Sequence, residues 1–432
     1  MISDRSTAVL AHGLGGSTDL PIPLSYALIG AAWALTFTFA VVALAWRRPR
    51  FDPGRPGRPL PGWVTTMVDA PATRSVVGLA ALAFAVWVAI SGWLGPQDSD
   101  NPLPGVFYVL LWVGLVALSL LIGPVWRVVS PVRTVHRLLG RRSLGLTYPE
   151  RVGYWPAVVG LFAFVWLELA SPDPGSLGAI KLWLLAYVVV MLVGTFSFGE
   201  RWCARADPFE VYSVVASRPA IVRRNSDGRI AVGNPFDHLL SFPVRAGSVA
   251  VLSVLLGSTA FDSFSASPQW RGFVDSHTDT AATATLMKTA GLLVFACVVA
   301  GTFWLAARAT GGVDPQRRRE LPGQMAHSLI PIVIGYVFAH YLTYLVERGQ
   351  QTIIALFGLD GAQVHYVLSM HPSLLATIKV ACVVAGHIAA VIAAHDKALR
   401  LLPAGHQLTG QLAMMLVMVG YTFTGLYLLF GG

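Results

Sequence analysis

Cysteine is nearly absent from this chain of 432 residues: Cys203, Cys297 and Cys382 lie far apart and form neither a C-x-x-C pair nor a thiolate cluster. A disulfide framework, a structural zinc site and a cysteine-ligated iron–sulfur cluster are thereby disfavoured. Charge is scarce too, at 12% of residues, where an average soluble protein has roughly a quarter. Also missing are G-x-S-x-G, H-E-x-x-H, the phosphate-binding G-x-x-x-x-G-K-S/T, and G-x-G-x-x-G in a strand-to-helix setting. Ordinary soluble hydrolase, zincin and nucleotide-driven mechanisms lose their footing with them. What remains is apolar: 55% of residues are hydrophobic, so the bulk of the chain is solvated by lipid. The net charge of +9 sits mainly in short loops between apolar runs, which is a pattern of membrane orientation and not of nucleic-acid binding.

A helix needs about 20 apolar residues to cross the hydrocarbon. Ten such runs are bounded by charge, Pro or Gly: Pro23 to Trp46, Ser75 to Leu94, Gly105 to Val125, Tyr154 to Leu169, Gly178 to Phe198, Ala246 to Phe261, Thr283 to Ala307, Met325 to Val346, Ser373 to His395 and Leu408 to Phe430. The expected fold class is all-α, a polytopic transmembrane bundle of about ten helices. The fourth and sixth runs are short and fit tilted or partly re-entrant segments as well as full crossings. Residues 1–22 form an exported arm, and 23–430 the transmembrane domain, including a cytoplasmic loop over 200–245.

Arginine sets the orientation, because short cytoplasmic loops retain positive charge. Arg47 to Arg74, Arg127 to Arg142, Arg201 to Arg229, Arg308 to Arg319, and Lys397 with Arg400 follow the first, third, fifth, seventh and ninth runs. The alternate connections are poor in positive charge and carry Asp98, Asp100, Asp173, Asp275 and Asp279. The expected placement is a multi-pass protein of the plasma membrane with both termini outside.

Within the longest inside loop, Asn225-Ser226-Asp227-Gly228 precedes Arg229-Ile230-Ala231-Val232, a turn signal leading into a short strand and hence a small hairpin. One repeat stands out. Gly123-Pro124-Val125-Trp126 leads to Pro131, and Gly199-Glu200-Arg201-Trp202 leads to Pro208. The two are in parallel and about 76 residues apart by sequence count, pairing helices three and four with five and six. Each reads as an interfacial Trp followed by a Pro that turns the chain along the surface; the sequence fits either a duplication or two similar juxtamembrane turns.

Ionisable groups inside a bilayer are costly, and those retained usually face a cavity or a partner. On the eighth run Tyr336, His340, Thr343, Tyr344 and Glu347 fall on one helical face. His340 lies roughly 9 Å deep at 1.5 Å per residue. With Glu347 one heptad away, the pair fits a metal site, a proton relay or a general base, or an interior histidine bonded to a neighbouring helix. The ninth run adds Lys379, Cys382, His387, His395 and Asp396. Lys379 should match His340 in depth, and His395 should match His327, the one histidine pair suited to haem. His12, Glu168, Asp262, His277, His365 and His371 belong to the outward side and could gather around Cu or Zn. Val9-Leu10-Ala11-His12 resembles the end of a signal peptide; cleavage after Ala11 would make His12 an amino-terminal copper ligand.

The segments AHGLGGSTDLPIPL (11–24), RWCARADPFEVY (201–212), GSTAFDSF (257–264), AHSLIPIVIGYVFAHYLTYLVERGQ (326–350) and VAGHIAAVIAAHDKAL (384–399) together resemble a family of polytopic actinobacterial membrane proteins, some labelled fenitrothion-hydrolase-like. That resemblance implies organophosphate ester hydrolysis, without a motif that maps onto catalysis. It places His12, Asp207, Asp262, His327, His340, His387, His395 and Asp396 within the recognisable segments. Three functions are therefore expected to compete: a metal-dependent or redox-linked membrane protein with a His/carboxylate site in the outer half, a membrane-bound phosphotriester hydrolase, and a transporter or proton-coupled channel. Its expected partners are the lipid bilayer and a metal or small-molecule ligand.

Overall fold

A computed structural model describes residues 17–310, 312–359 and 361–431. Among them ten helices are long and apolar enough to cross a membrane. They are α1 (Leu24–Ala45), α2 (Pro71–Leu94), α3 (Leu103–Ile122), α4 (Glu150–Leu169), α5 (Leu177–Phe198), α6 (Ser248–Ser265), α7 (Ala281–Arg308), α8 (Pro315–Phe357), α9 (Pro372–Leu401) and α10 (Thr409–Phe430). Helices dominate because a segment surrounded by hydrocarbon must satisfy its backbone internally. The chain is thus an all-α membrane bundle.

Burial sorts the helices into a centre and a sheath. The most apolar stretch of α6 is 72% buried and that of α8 67%, against 17% for α2 and α5. Of the two short runs, α6 is an inner helix enclosed by protein, which relieves it of spanning lipid alone, and α4 is 44% buried over its most apolar stretch. Two spans carry π-type turns, Val106–Gly114 in α3 and Tyr344–Arg348 in α8.

All five arginine-bearing connections lie on one face, and they touch one another. A three-stranded sheet joins the first and third of them: β1 (Arg58–Pro59) pairs antiparallel with β3 (Ile230–Val232), which pairs with β2 (Val222–Arg224). β2 and β3 form the hairpin expected around Asn225, whose side chain accepts from the backbone of Asp227 and Arg229, with Gly228 at φ +76° closing the turn. Arg224 forks onto Asp69 at 2.6 and 2.8 Å. Asp396, at the end of α9, accepts from the Arg50 and Phe51 amides at 2.6 and 3.3 Å and from Arg400 at 3.4 Å. Those bonds supply the separate partner that an acid at a helix C-terminus requires.

The repeat is present in three dimensions. Gly123 (φ +94°) and Gly199 (φ +67°) each end a spanning helix in a conformation that only glycine adopts without strain. A short helix follows in both, Trp126–Val129 and Glu200–Ala206. Ser130 and Asp207 then cap helices that open on Pro131 and Pro208, and each cap accepts from the amide three residues on. Those third residues, Arg133 and Glu210, are equivalent positions of the two repeats, and they bond to each other through two contacts of 2.7 and 3.0 Å.

α8 and α9 cross where Gly335 meets Gly386. A methyl at Gly335 would stand 2.5 Å from the Cys382 carbonyl oxygen, and one at Gly386 would stand 2.6 Å from that of Pro331. Small residues at such crossings let backbones approach, and packing is what associates helices in lipid. Gly386→Val should therefore separate the two helices and destabilise the protein by about 1–3 kcal/mol, read as a lower thermal midpoint in detergent. Gly301→Ala, where nothing lies within 4 Å of the added carbon, should leave the midpoint unchanged.

Candidate functional site

Three inner helices bring together side chains from distant parts of the chain. Asp262, near the far end of α6 from the arginine-rich face, receives His340 Nε2 of α8 at 2.8 Å and the Tyr341 hydroxyl at 2.9 Å, both on Oδ2. Ser263 Oγ stands 3.4 Å from His340 Nδ1. Asp262 is 4% exposed, His340 2% and Tyr341 3%, so an ionised carboxylate here depends on protein donors for the solvation that water would otherwise give. Glu168, near the end of α4, is buried as well, at 9% exposed. An accepting carboxylate fixes the His340 proton on Nε2 and directs the Nδ1 lone pair away from Asp262.

Other expected site residues go elsewhere. Glu347 is buried, but its carboxylate accepts the amides of Leu368 and Ser369 at 2.9 and 2.8 Å, together with the Ser369 hydroxyl. It pins the connection between α8 and α9, while His340 takes Asp262 as its carboxylate. Lys379 is 1% exposed and interacts electrostatically with Asp19 of the turn Ser17–Asp19. His395 is engaged at both ring nitrogens, with Gln411 Oε1 and the Trp46 carbonyl at 2.9 Å each; axial ligation of haem by His395 would break one of these bonds. His327 and His387 bond through Nδ1 to the Gln324 and Val383 carbonyls, at 3.1 and 2.8 Å; His327 also meets the Ala393 backbone, whereas the Nε2 of His387 has no hydrogen-bond partner among the described residues. Tyr336 stands edge-on to His387 with ring centroids 6.0 Å apart. Tyr344 packs edge-on against Tyr341. His277, His365 and His371 are exposed. His12 lies outside the described residues. Among the described residues no three His, Cys, Asp or Glu side chains gather closely enough to hold a metal ion.

One contributor, Tyr341, and one pairing escape a sequence reading. Tyr341 follows His340 directly and so falls off the polar face drawn through Tyr336, His340 and Tyr344; in a helix buried all round, such a face does not delimit the contacts. The partnership of Asp262 with His340 spans 78 residues, and the one available signal was a lone acid near the end of a largely apolar helix. No family model, curated protein or solved structure matches this chain.

A second polar cluster stands at the arginine-rich face. Asp207 accepts from Trp126 Nε1 at 2.9 Å, from the Tyr187 hydroxyl at 3.2 Å, and from the Phe209 and Glu210 amides at 3.0 and 3.3 Å. Glu210 is held by Arg133, with Arg127 at 3.4 Å. Burial, followed by the charge of Glu210, pushes the Asp207 carboxyl from 3.8 up to about 7, against the opposing effect of its hydrogen bonds. The folded protein therefore holds a proton on Asp207 at pH values where the unfolded chain has released it. This group's contribution to stability falls as pH rises between those two values. Thermal midpoints should accordingly drop from pH 5 to pH 8, and Asp207→Asn should flatten that dependence; an identical pH profile in the variant would contradict the assignment.

Proposed function

We propose that this chain is a multi-pass protein of the plasma membrane that binds a transition-metal ion, Cu or Zn, at a His/carboxylate site in the outer half of its bundle, with His340 as a ligand. One observation carries the reading: the 2.8 Å bond from His340 Nε2 to Asp262. A carboxylate on one ring nitrogen is the arrangement that fixes a metal-binding histidine in its tautomer and orientation; the other nitrogen lies 3.4 Å from the Ser263 hydroxyl, which an ion would displace. Glu168, buried near the end of α4, is the carboxylate that would complete a mixed nitrogen and oxygen donor set, which suits Cu(II) or Zn(II). The positive-inside pattern supports a cytoplasmic arginine-rich face with both termini outside, which puts Asp262 and His340 toward the exterior. An ion bound there supplies Lewis acidity. Asp262 orients the imidazole, and Tyr341 completes the solvation of the carboxylate. Phosphotriester hydrolysis, suggested by the family resemblance, would draw on this same site.

Protein purified without chelator should carry about one Cu or Zn per chain by elemental analysis, lose it in His340→Ala, and bind it about 10–100-fold more weakly in Asp262→Asn. The His12→Ala variant reports whether the exported arm adds a ligand. Metal content that is the same in wild type and His340→Ala would overturn the reading.

Proton-coupled transport is a second reading, favoured by the buried His387 of α9, whose Nε2 has no hydrogen-bond partner among the described residues, since buried imidazoles are proton carriers. Proton flux into proteoliposomes should fall severalfold in His387→Ala. Flux that ignores the substitution would remove this reading.

A further inference from the structure

At the arginine-rich face one cation has no anion opposite it. Arg218 follows the fully buried helix Pro208–Ala216, and its own side chain is partly buried. Its Nη1 donates to the Ser241 hydroxyl at 2.6 Å and stands 3.5 Å from His238 Nε2. Its Nε is enclosed without a partner, whereas Nη2 makes no bond among the described residues and is not enclosed. The nearby carboxylates are taken. Glu210 is held by Arg133 at 2.7 and 3.0 Å and by Arg127 at 3.4 Å. Asp237 accepts the Asp52 amide at 2.7 Å and lies 3.5 Å from Arg55 and 3.8 Å from Arg223. Burial, followed by the charges of Arg218 and Arg223, draws His238 from 6.5 down to about 4, so its ring is neutral at pH 7. Burial, followed by the charge of Arg127, brings Arg218 from 12.5 down to about 10. Arg218 thus stays a cation, bonded to neutral groups and near a second cation, where a buried charge is ordinarily paired. The carbonyl end of the helix before it supplies about half a negative charge, which is less than a counter-ion.

Basic clusters between membrane helices at this level are places for anionic head groups. We propose that Arg218 and Arg127 bind a phosphate group, carried by a phospholipid of the adjoining leaflet or present as free phosphate. The anion reaches Arg218 at Nη2, and Arg127, with its side chain 50% exposed, keeps donors beyond the one that faces Glu210. A phosphate suits two guanidinium groups because its several oxygens accept from both at once. The surroundings belong to the membrane boundary. The Tyr154 amide donates to the Ala246 carbonyl at 2.8 Å, which sets the start of α4 beside the segment that carries Ser241. The next residue, Trp155, is 50% exposed, and exposed Trp is the residue type found at head-group level. Ile221 and Val244 follow closely on Arg218 and Ser241 and are exposed at 55% and 57%, which suits contact with acyl chains. Neither Asp262 nor His340 takes part.

The test uses the full chain in dodecyl maltoside and calorimetric titration with three probes: dioctanoylphosphatidylglycerol, inorganic phosphate, and dioctanoylglycerol as a lipid of like tails without phosphate. A phosphate-bearing probe should bind saturably at one site per chain, and dioctanoylglycerol should not. Tighter binding of the phospholipid than of inorganic phosphate assigns the site to a lipid head group; equal or weaker binding assigns it to the free anion. Arg218→Gln should weaken binding about tenfold or more, the value of one hydrogen bond to a charged group. Arg127→Gln leaves Glu210 held by Arg133 and should weaken binding severalfold; it carries the test if Arg218→Gln does not fold. Arg317→Gln, at a 75% exposed arginine of the same face, should bind as the wild type does. No saturable binding of either phosphate probe, affinity unchanged in Arg218→Gln or Arg127→Gln, or an equal loss in Arg317→Gln would each overturn the proposal.

Discussion

A carboxylate enclosed by membrane helices must be solvated by the protein itself, and Asp262 places that demand on the centre of this bundle. Its donors come from α8, while it sits on α6, so the two most enclosed helices are tied by a polar contact that no exchange with lipid can replace. In hydrocarbon the apolar effect does not drive helix association. Close backbone approach at Gly335 and Gly386 and the bonds onto Asp262 together set how α6, α8 and α9 stand relative to one another. The outer helices, α2 and α5 above all, face lipid and contribute less to that arrangement.

The arginine-rich face has its own framework, built from connections between helices. Ser130 and Asp207 cap equivalent helices of the repeat, and the bond between Arg133 and Glu210 joins corresponding positions of its two halves. A duplicated turn would ordinarily place like residues opposite each other. Here one turn carries a cation and the other an anion, and the two similar turns are joined by an ion pair between corresponding positions. The three-stranded sheet and the bonds onto Asp396 and Asp69 link the remaining loops, so this face forms a connected layer under the helices.

Much of this was legible in the sequence. Ten apolar runs of sufficient length and alternating arginine content specify the spans, and the turn at Asn225 specifies the hairpin. The histidines and acids of α8 and α9 stand out by their cost in lipid. Their partners do not. Glu347 sits one heptad from His340, a spacing that suits pairing on a single helix, yet the backbone of Leu368 and Ser369 offers it donors that His340 does not match. His395 resembles a ligand by depth but is consumed by Gln411 and Trp46. Local spacing identifies which groups need partners; only the packing of helices far apart in sequence decides which partners they take. β1 illustrates the same point, since two residues of the first loop carry no strand signal and pair only because β3 presents an edge.

The tautomer of His340 is the most direct measure of the account. Nitrogen NMR of the selectively labelled protein in lipid should show Nε2 protonated and Nδ1 bare, with that preference lost when Asp262 is replaced by Asn. A proton on Nδ1 in the wild type, or a tautomer indifferent to Asp262, would contradict it.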